Sequence, residues 1–134
     1  MVTILIRTES IDLLGRWERW VERAGYRPVL TTSLAAAHAY LFRAGRWGEL
    51  PAVIVTTMPL TEARRATPRW DWLDALRASA APSCLLLLAR HEALLHSPRP
   101  GSVLLADPDL TEAEFRACLD RLIDRPAGPR RPGD

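Results

Sequence analysis

The run CLLLL at residues 84–88 is apolar at every position, with no polar residue alternating in, and Pro82 and Ser83 stand just before it. A strand with one wet face alternates apolar and polar side chains, whereas a strand covered on both faces has no reason to. Cys84–Leu88 therefore reads as the middle of a parallel sheet sandwiched between helices. Outward from it, Val103–Ala106 follows as a fifth strand, while Ala52–Val55, Arg27–Thr31 and Val2–Ile6 precede it as short β-branched or apolar runs.

The intervening segments carry the other period. Ile11 to Ala24 repeats apolar residues at helical spacing through Leu13, Leu14, Trp17 and Val21, and Gly25 stops it. Ser33 stands where a helix cap belongs, ahead of Leu34, Ala37, Leu41 and Phe42, with Gly45 and Gly48 marking that helix's end. A polar, proline-bounded stretch from Thr61 to Pro68 leads into a helix over Trp70, Leu73, Leu76 and Arg77. Between Arg90 and Gly101 only one or two turns fit before Pro98 and Pro100, so the fourth helix is expected to be shortened. Thr111 and Glu114 form a capping-box pattern opening a last helix, with Phe115, Leu119, Leu122 and Ile123 on one side and Pro126 beyond its end.

Strand and helix alternating along one chain imply right-handed β-α-β crossovers and a doubly wound α/β fold. In such folds ligands and reactive groups gather beyond the carboxyl ends of the strands. Here those ends fall at Arg7 to Ser10, Thr56 to Pro59, Leu88 to Arg90 and Asp107-Pro108.

A chain of 134 residues is one domain's worth and buries roughly two-thirds of its unfolded surface on folding, enough for a core without metal or disulfide. We divide it into a domain at 1–125 and a disordered Pro/Gly/Arg tail at 126–134. No apolar run approaches the ~20 residues of a bilayer span, and Met1 to Ile6 reads directly as a strand, so a cytoplasmic protein is expected. Cys84 and Cys118 sit inside apolar segments as small hydrophobes, not as a disulfide pair. All 18 basic residues are arginine, and the complete lack of lysine bears on the chemistry below.

The segments also match a known family in order, from Ile4 to about Ile123. ILIRTES resembles the opening ILIVDDE of response-regulator receiver (CheY-like) domains, and the interval from Thr8 to Gly25-Tyr26 matches the interval from their acidic pair to the Gly-Tyr closing the first helix. PAVIVTTMP resembles their third strand and Met-Pro loop, WDWLDALR the helix start MDGLELLRRLR, PSCLLLLA the fourth strand, and LLADPDL the segment YLVKPF. The resemblance implies a flavodoxin-like five-stranded parallel sheet of order 2-1-3-4-5, an order that periodicity alone does not provide.

Receiver phosphorylation uses carboxylates to hold a divalent cation, an aspartate as acceptor and a lysine to neutralise developing charge. Carried over, the acidic pair falls on Thr8 and Glu9, so only one carboxylate remains. The acceptor falls on Val55 counted back from Met58-Pro59, or on Thr57 counted forward from Pro51, with Thr56 between them and no acid from Leu50 to Thr61. The hydroxyl position falls on Leu88, the lysine position on Asp107 and the aromatic switch position on Leu104. Asp107 repels a phosphoryl group where the family attracts it. Arg7 can pair with Asp107 or Glu9 and close the old pocket, or hold a small anion together with Arg90.

The resemblance thus implies a degenerate pseudo-receiver: no catalytic residue, no enzyme activity, no cofactor, no Mg2+ and no phosphate. The function expected is a phosphorylation-independent protein-protein interaction module in bacterial signalling or regulation. Its partner is then another signalling or regulatory protein, a homodimer being a further option, and no membrane is involved. A small-anion or small-ligand sensor or enzyme using the degenerate pocket is the alternative, and it predicts an open polar cavity where the module predicts a filled or charge-paired one. A nucleic-acid-binding accessory protein ranks third, because most arginines alternate with acids along the helices. His38, His91 and His96 lack metal-ligand spacing, and no Gly-rich phosphate loop or nucleophile elbow occurs.

Interfaces favour tryptophan and arginine together, and there are five tryptophans. Trp17 continues the core stripe of its helix; Trp20 lies off its centre beside Arg16, Arg19 and Arg23; Trp47 follows the second helix. Trp70 and Trp72 are not both expected to face inward, which leaves one of them for the pocket mouth or a partner. With Arg64, Arg65 and Arg69 around Glu62, in a connection longer than receivers usually have, the candidate partner surface is Arg16, Trp20, Arg64, Arg65, Arg69, Trp70 and Trp72.

Overall fold

The computed structural model describes residues 1–80, 83–89 and 103–123. Its elements run β1 (Thr3–Arg7), α1 (Ile11–Arg23), β2 (Arg27–Thr31), α2 (Leu34–Arg46), β3 (Val53–Thr57), α3 (Leu60–Ala63), α4 (Asp71–Ala80), β4 (Cys84–Leu88), β5 (Val103–Ala106) and α5 (Glu112–Ile123). All five strands pair in parallel in the order β2-β1-β3-β4-β5, the flavodoxin-like topology expected. The stretches expected to hold a shortened fourth helix and a disordered tail fall outside the described residues.

The run that decided the fold behaves as its composition demands. β4 is flanked by β3 and β5, and Leu85 to Leu88 are all buried. Alternate residues of the sheet feed two separate cores. Leu86 and Leu88 join Ile4, Ile6, Val53 and Val55 beneath α1 and α5, whose Trp17, Val21, Phe115 and Leu119 pack there. Leu85 and Leu87 join Leu5 and Ile54 beneath α2 and α4, against Ala37, Leu41, Leu73 and Leu76. β2 forms one edge and carries Pro28, a residue tolerated at an edge because its missing N–H breaks no central ladder.

The helix boundaries are set by the expected chemistry. Ser10 and Ser33 accept hydrogen bonds from the amides of Leu13 and Ala36 and cap α1 and α2. Gly25, at φ +90°, takes the left-handed position after α1 that a side chain would strain. Gly48 does the same after α2 at φ +69°, whereas Gly45 lies inside the last turn of that helix and does not end it.

Thr111 and Glu114 form the reciprocal box: the Thr111 hydroxyl accepts from the Glu114 amide at 3.2 Å, and the Glu114 carboxylate accepts from the Thr111 amide at 3.0 Å. The backbone bond from Thr111, then that from its hydroxyl, hold the Glu114 carboxyl below its ordinary value. A lowered carboxylate stabilises the fold above the unfolded-chain value of about 4.3, and that contribution fades as pH falls through the folded value. Urea midpoints of the protein and of Glu114→Gln are therefore expected to differ at pH 6 and to converge in acid.

Three departures from the expected elements have local causes. β1 ends one residue later than expected and β3 two residues later, because Arg7, Thr56 and Thr57 satisfy their polar groups on one another inside the sheet. The stretch expected to be loop from Thr61 begins inside a single helical turn, Leu60–Ala63, behind Pro59. Trp70 precedes the first residue of α4, so it escapes the helical geometry that would have sent it away from Trp72. The two rings stack with centroids 6.1 Å apart, Trp72 buried and Trp70 half-buried against the same core.

Candidate functional site

Arg7 is the last residue of β1, and the β1–β3 register sets it beside Thr56. Side chains alternate faces along a strand, so Arg7 follows Leu5 onto the α2/α4 side, where an arginine has no water to turn to. It is 1% exposed. Its charge is met entirely by neighbours. Nε donates to Thr56 Oγ1 at 3.1 Å, Nη1 to Glu9 Oε1 at 3.2 Å, and Nη2 to the Thr57 carbonyl at 2.7 Å and to Thr57 Oγ1 at 3.4 Å. Burial pulls the Arg7 guanidinium below its usual value, and the bond to Glu9 and that carboxylate's charge oppose the shift. The group stays cationic, since arginine does not lose its proton in proteins.

The threonines complete the network. Thr57 Oγ1 donates to Thr8 Oγ1 at 3.0 Å, Thr8 Oγ1 also accepts from the Ser10 amide at 3.2 Å, and Thr56 Oγ1 donates to the Thr57 carbonyl at 2.9 Å. Thr8 and Thr56 are buried, while Glu9 stands at the rim with its side chain 35% exposed. The same Glu9 oxygen accepts from the Leu60 amide at 3.1 Å, tying α3 across the carboxyl ends of β1 and β3.

Of the two acceptor positions, Val55 is a mid-strand residue in the α1/α5 core and Thr57 stands at the strand end. Leu88 is the register neighbour of Thr57 and is 1% exposed, so an apolar side chain occupies the hydroxyl position. Of the two partners open to Arg7, Glu9 takes it. The Asp107 carboxylate instead accepts from the Asp109 amide at 2.8 Å and shapes its own turn. Arg90, the other half of the anion-binding idea, falls outside the described residues, as do His91 and His96. Among the described residues no group of three or more His, Cys, Asp or Glu side chains is placed to hold a metal ion.

The candidate partner residues do not form one surface. Trp20 lies half-buried over Phe115 on the α1/α5 side, its ring edge-on at 5.4 Å, with Arg16 exposed on the same helix. Trp70 and Trp72 pack into the opposite core, and the sheet separates the two groups. Arg64, Arg65 and Arg69 are exposed, yet Glu62 gathers the last two: it lies 3.4 Å from Arg65 Nε and 4.0 Å from Arg69 Nε, and accepts from the Arg69 amide at 2.8 Å. That connection is a cross-linked turn built around one carboxylate. Both cysteines are free and half-buried, and burial raises the Cys118 thiol.

No protein-family model and no curated protein sequence matches the chain. Solved structures do match it in shape. A response regulator receiver protein from Sinorhizobium medicae WSM419 superposes with TM-score 0.71 at 20% identity, over 92% of this chain and 94% of that one. A response regulator receiver domain protein from Clostridium thermocellum gives 0.67 at 15%, over 93% and 96%. A structure described as adenylate cyclase from Rhodopirellula baltica gives 0.74 at 16%, over 92% and 87%. What is shared at these identities is the fold, and the fold is that of receiver domains.

Proposed function

We propose that this receiver-fold chain works as a phosphorylation-independent module that binds another regulatory protein in the bacterial cytoplasm, and that it is not an enzyme. No helix among the described residues is long and apolar enough to cross a membrane, which accords with that setting.

The observation that carries the proposal is Arg7. A phosphoryl-accepting pocket needs a cation site lined by carboxylates and an acceptor carboxylate facing it. Here the carboxyl end of β1 presents a buried guanidinium already bonded to Glu9, Thr56 and Thr57. A divalent ion placed beside Glu9 would meet that fixed positive charge at close range, and repulsion between like charges in a poorly hydrated site is large. The Thr57 hydroxyl donates to Thr8 Oγ1, and among the described residues no base is bonded to it. A charge-paired pocket is what an interaction module calls for, and an open polar cavity is what a ligand sensor or enzyme would use.

The test combines two measurements. Incubated with acetyl phosphate and Mg2+, the protein is expected to show no added phosphoryl mass, while a phosphorylatable receiver treated alongside gains it. Acid-labile phosphate on this chain would overturn the proposal. Pull-downs from native lysate are expected to recover the same partner whether or not acetyl phosphate is present; a partner whose recovery depends on it would also count against the proposal.

A further inference from the structure

The opposite end of the sheet holds a feature that the degenerate pocket does not explain. A groove of about 830 Å3 opens at the amino ends of β1 and β2, beside the last turn of α2. Its lining includes Met1, Arg27, Tyr40, Arg43, Trp47 and Glu49. Trp47, at the C-cap of α2, is 80% exposed, although an indole in water forfeits most of its burial energy. Arg27, Arg43 and the neighbouring Arg46 are exposed, and none has an acidic partner among the described residues. Of the other described arginines, Arg7, Arg23, Arg65, Arg69 and Arg116 each have one, while Arg16, Arg19, Arg64, Arg77 and Arg121 do not.

We propose that this groove docks an acidic segment of a partner protein, with an apolar side chain seated against Trp47 and Tyr40 and carboxylates meeting Arg27, Arg43 and Arg46. The inference rests on the chain being a binding module and assigns the chemistry of its partner.

Charge complementarity selects the occupant. Two unpaired arginines in the lining, Arg27 and Arg43, with Arg46 nearby on α2, outweigh the single Glu49 and favour an anionic ligand, and an exposed indole with a half-buried phenol beside them supplies the aromatic anchor on which interface energy concentrates. Nucleic acid fits less well. Single-strand grooves run an extended basic track with several stacking platforms, whereas this groove is short and includes a glutamate. A peptide can place its acids at the arginines alone.

A random peptide library displayed on phage and panned on the intact chain tests this. Enriched sequences are expected to be net acidic with a leucine or aromatic residue. Their affinity is expected to fall about tenfold or more in Arg43→Glu and in Trp47→Ala, and to weaken as salt rises. Both positions are exposed, so unchanged circular dichroism and melting will certify each variant's fold. No enrichment, enrichment of neutral or basic sequences, or binders indifferent to both substitutions would overturn the proposal. So would a single-stranded oligonucleotide that binds, is lost in Arg43→Glu and competes for the groove where peptides do not. Sedimentation across concentration reads the remaining occupant, since self-association abolished by Arg43→Glu would replace the partner segment by a second copy. These outcomes are independent of acetyl phosphate labelling, so the groove and the phosphorylation-independent reading fail separately.

Discussion

Arg7→Ala is expected to destabilise the fold by about 3 kcal/mol, a value near the lower end of what breaking a buried ion pair costs. Alanine removes the 2.7 Å donor to the Thr57 carbonyl and the 3.1 Å donor to Thr56, and leaves a cavity the length of an arginine stem on the α2/α4 side. The pair with Glu9 contributes the smaller part, because that carboxylate is about a third exposed and solvent screens it. Arg7→Met, which refills the volume without the charge, should recover some of the loss. Arg7→Lys should stay well below the native value, since one ammonium cannot span Thr56, Thr57 and Glu9 in the guanidinium's fork. Urea denaturation of the four proteins measures this. Equal stability of Arg7→Ala and the parent would show that the constellation does not hold the carboxyl ends of β1 and β3 together.

The second large effect lies on the other side of the sheet. Phe115 is fully buried in α5, its ring stacked on Trp17 at 5.9 Å and meeting Trp20 edge-on at 5.4 Å. Phe115→Ala is expected to cost about 4 kcal/mol from lost transfer energy, lost aromatic contacts and the cavity between α1 and the sheet. Phe115→Leu keeps most of the volume and should cost about 1.5 kcal/mol. Thermal unfolding followed in the near-ultraviolet separates the two. A small loss for alanine would mean that Trp17 and Trp20 collapse into the space, and it would appear as a changed aromatic signal in the native state.

Much of the fold was legible because it depends on local pattern. Cys84–Leu88 and Val103–Ala106 fall where the apolar runs place them, and the Ser33 and Thr111 caps sit where their spacing puts them. The sheet order came from likeness to a family, since no local pattern encodes which strand neighbours which.

The site was legible as a set of missing groups and as an Arg7 pairing left open between Glu9 and Asp107, of which the structure has the first. Its closure depends on Arg7 meeting Thr56, 49 residues later, and a charged residue after an apolar run looks like the start of a loop until the register of β3 is known. Trp70 and Trp72 misled for a related reason: the helix begins one residue later than periodicity suggests, and the ring before it is free to turn inward. Trp47 carried a weak signal, a tryptophan after a helix's last arginine, but nothing in the sequence says that the adjoining groove would leave it uncovered.

The uneven burial of the five indoles gives the molecule its own spectroscopic address system. Trp17 and Trp72 are buried, Trp20 and Trp70 are half-buried, and the ring nitrogens of Trp17, Trp70 and Trp72 have no hydrogen-bond partner among the described residues. Only Trp47 stands largely in water. A dissolved collisional quencher therefore extinguishes mainly the light of one residue at the amino end of the sheet, while the remaining emission reports the two cores. One unlabelled sample distinguishes an event at the groove from an event in the interior.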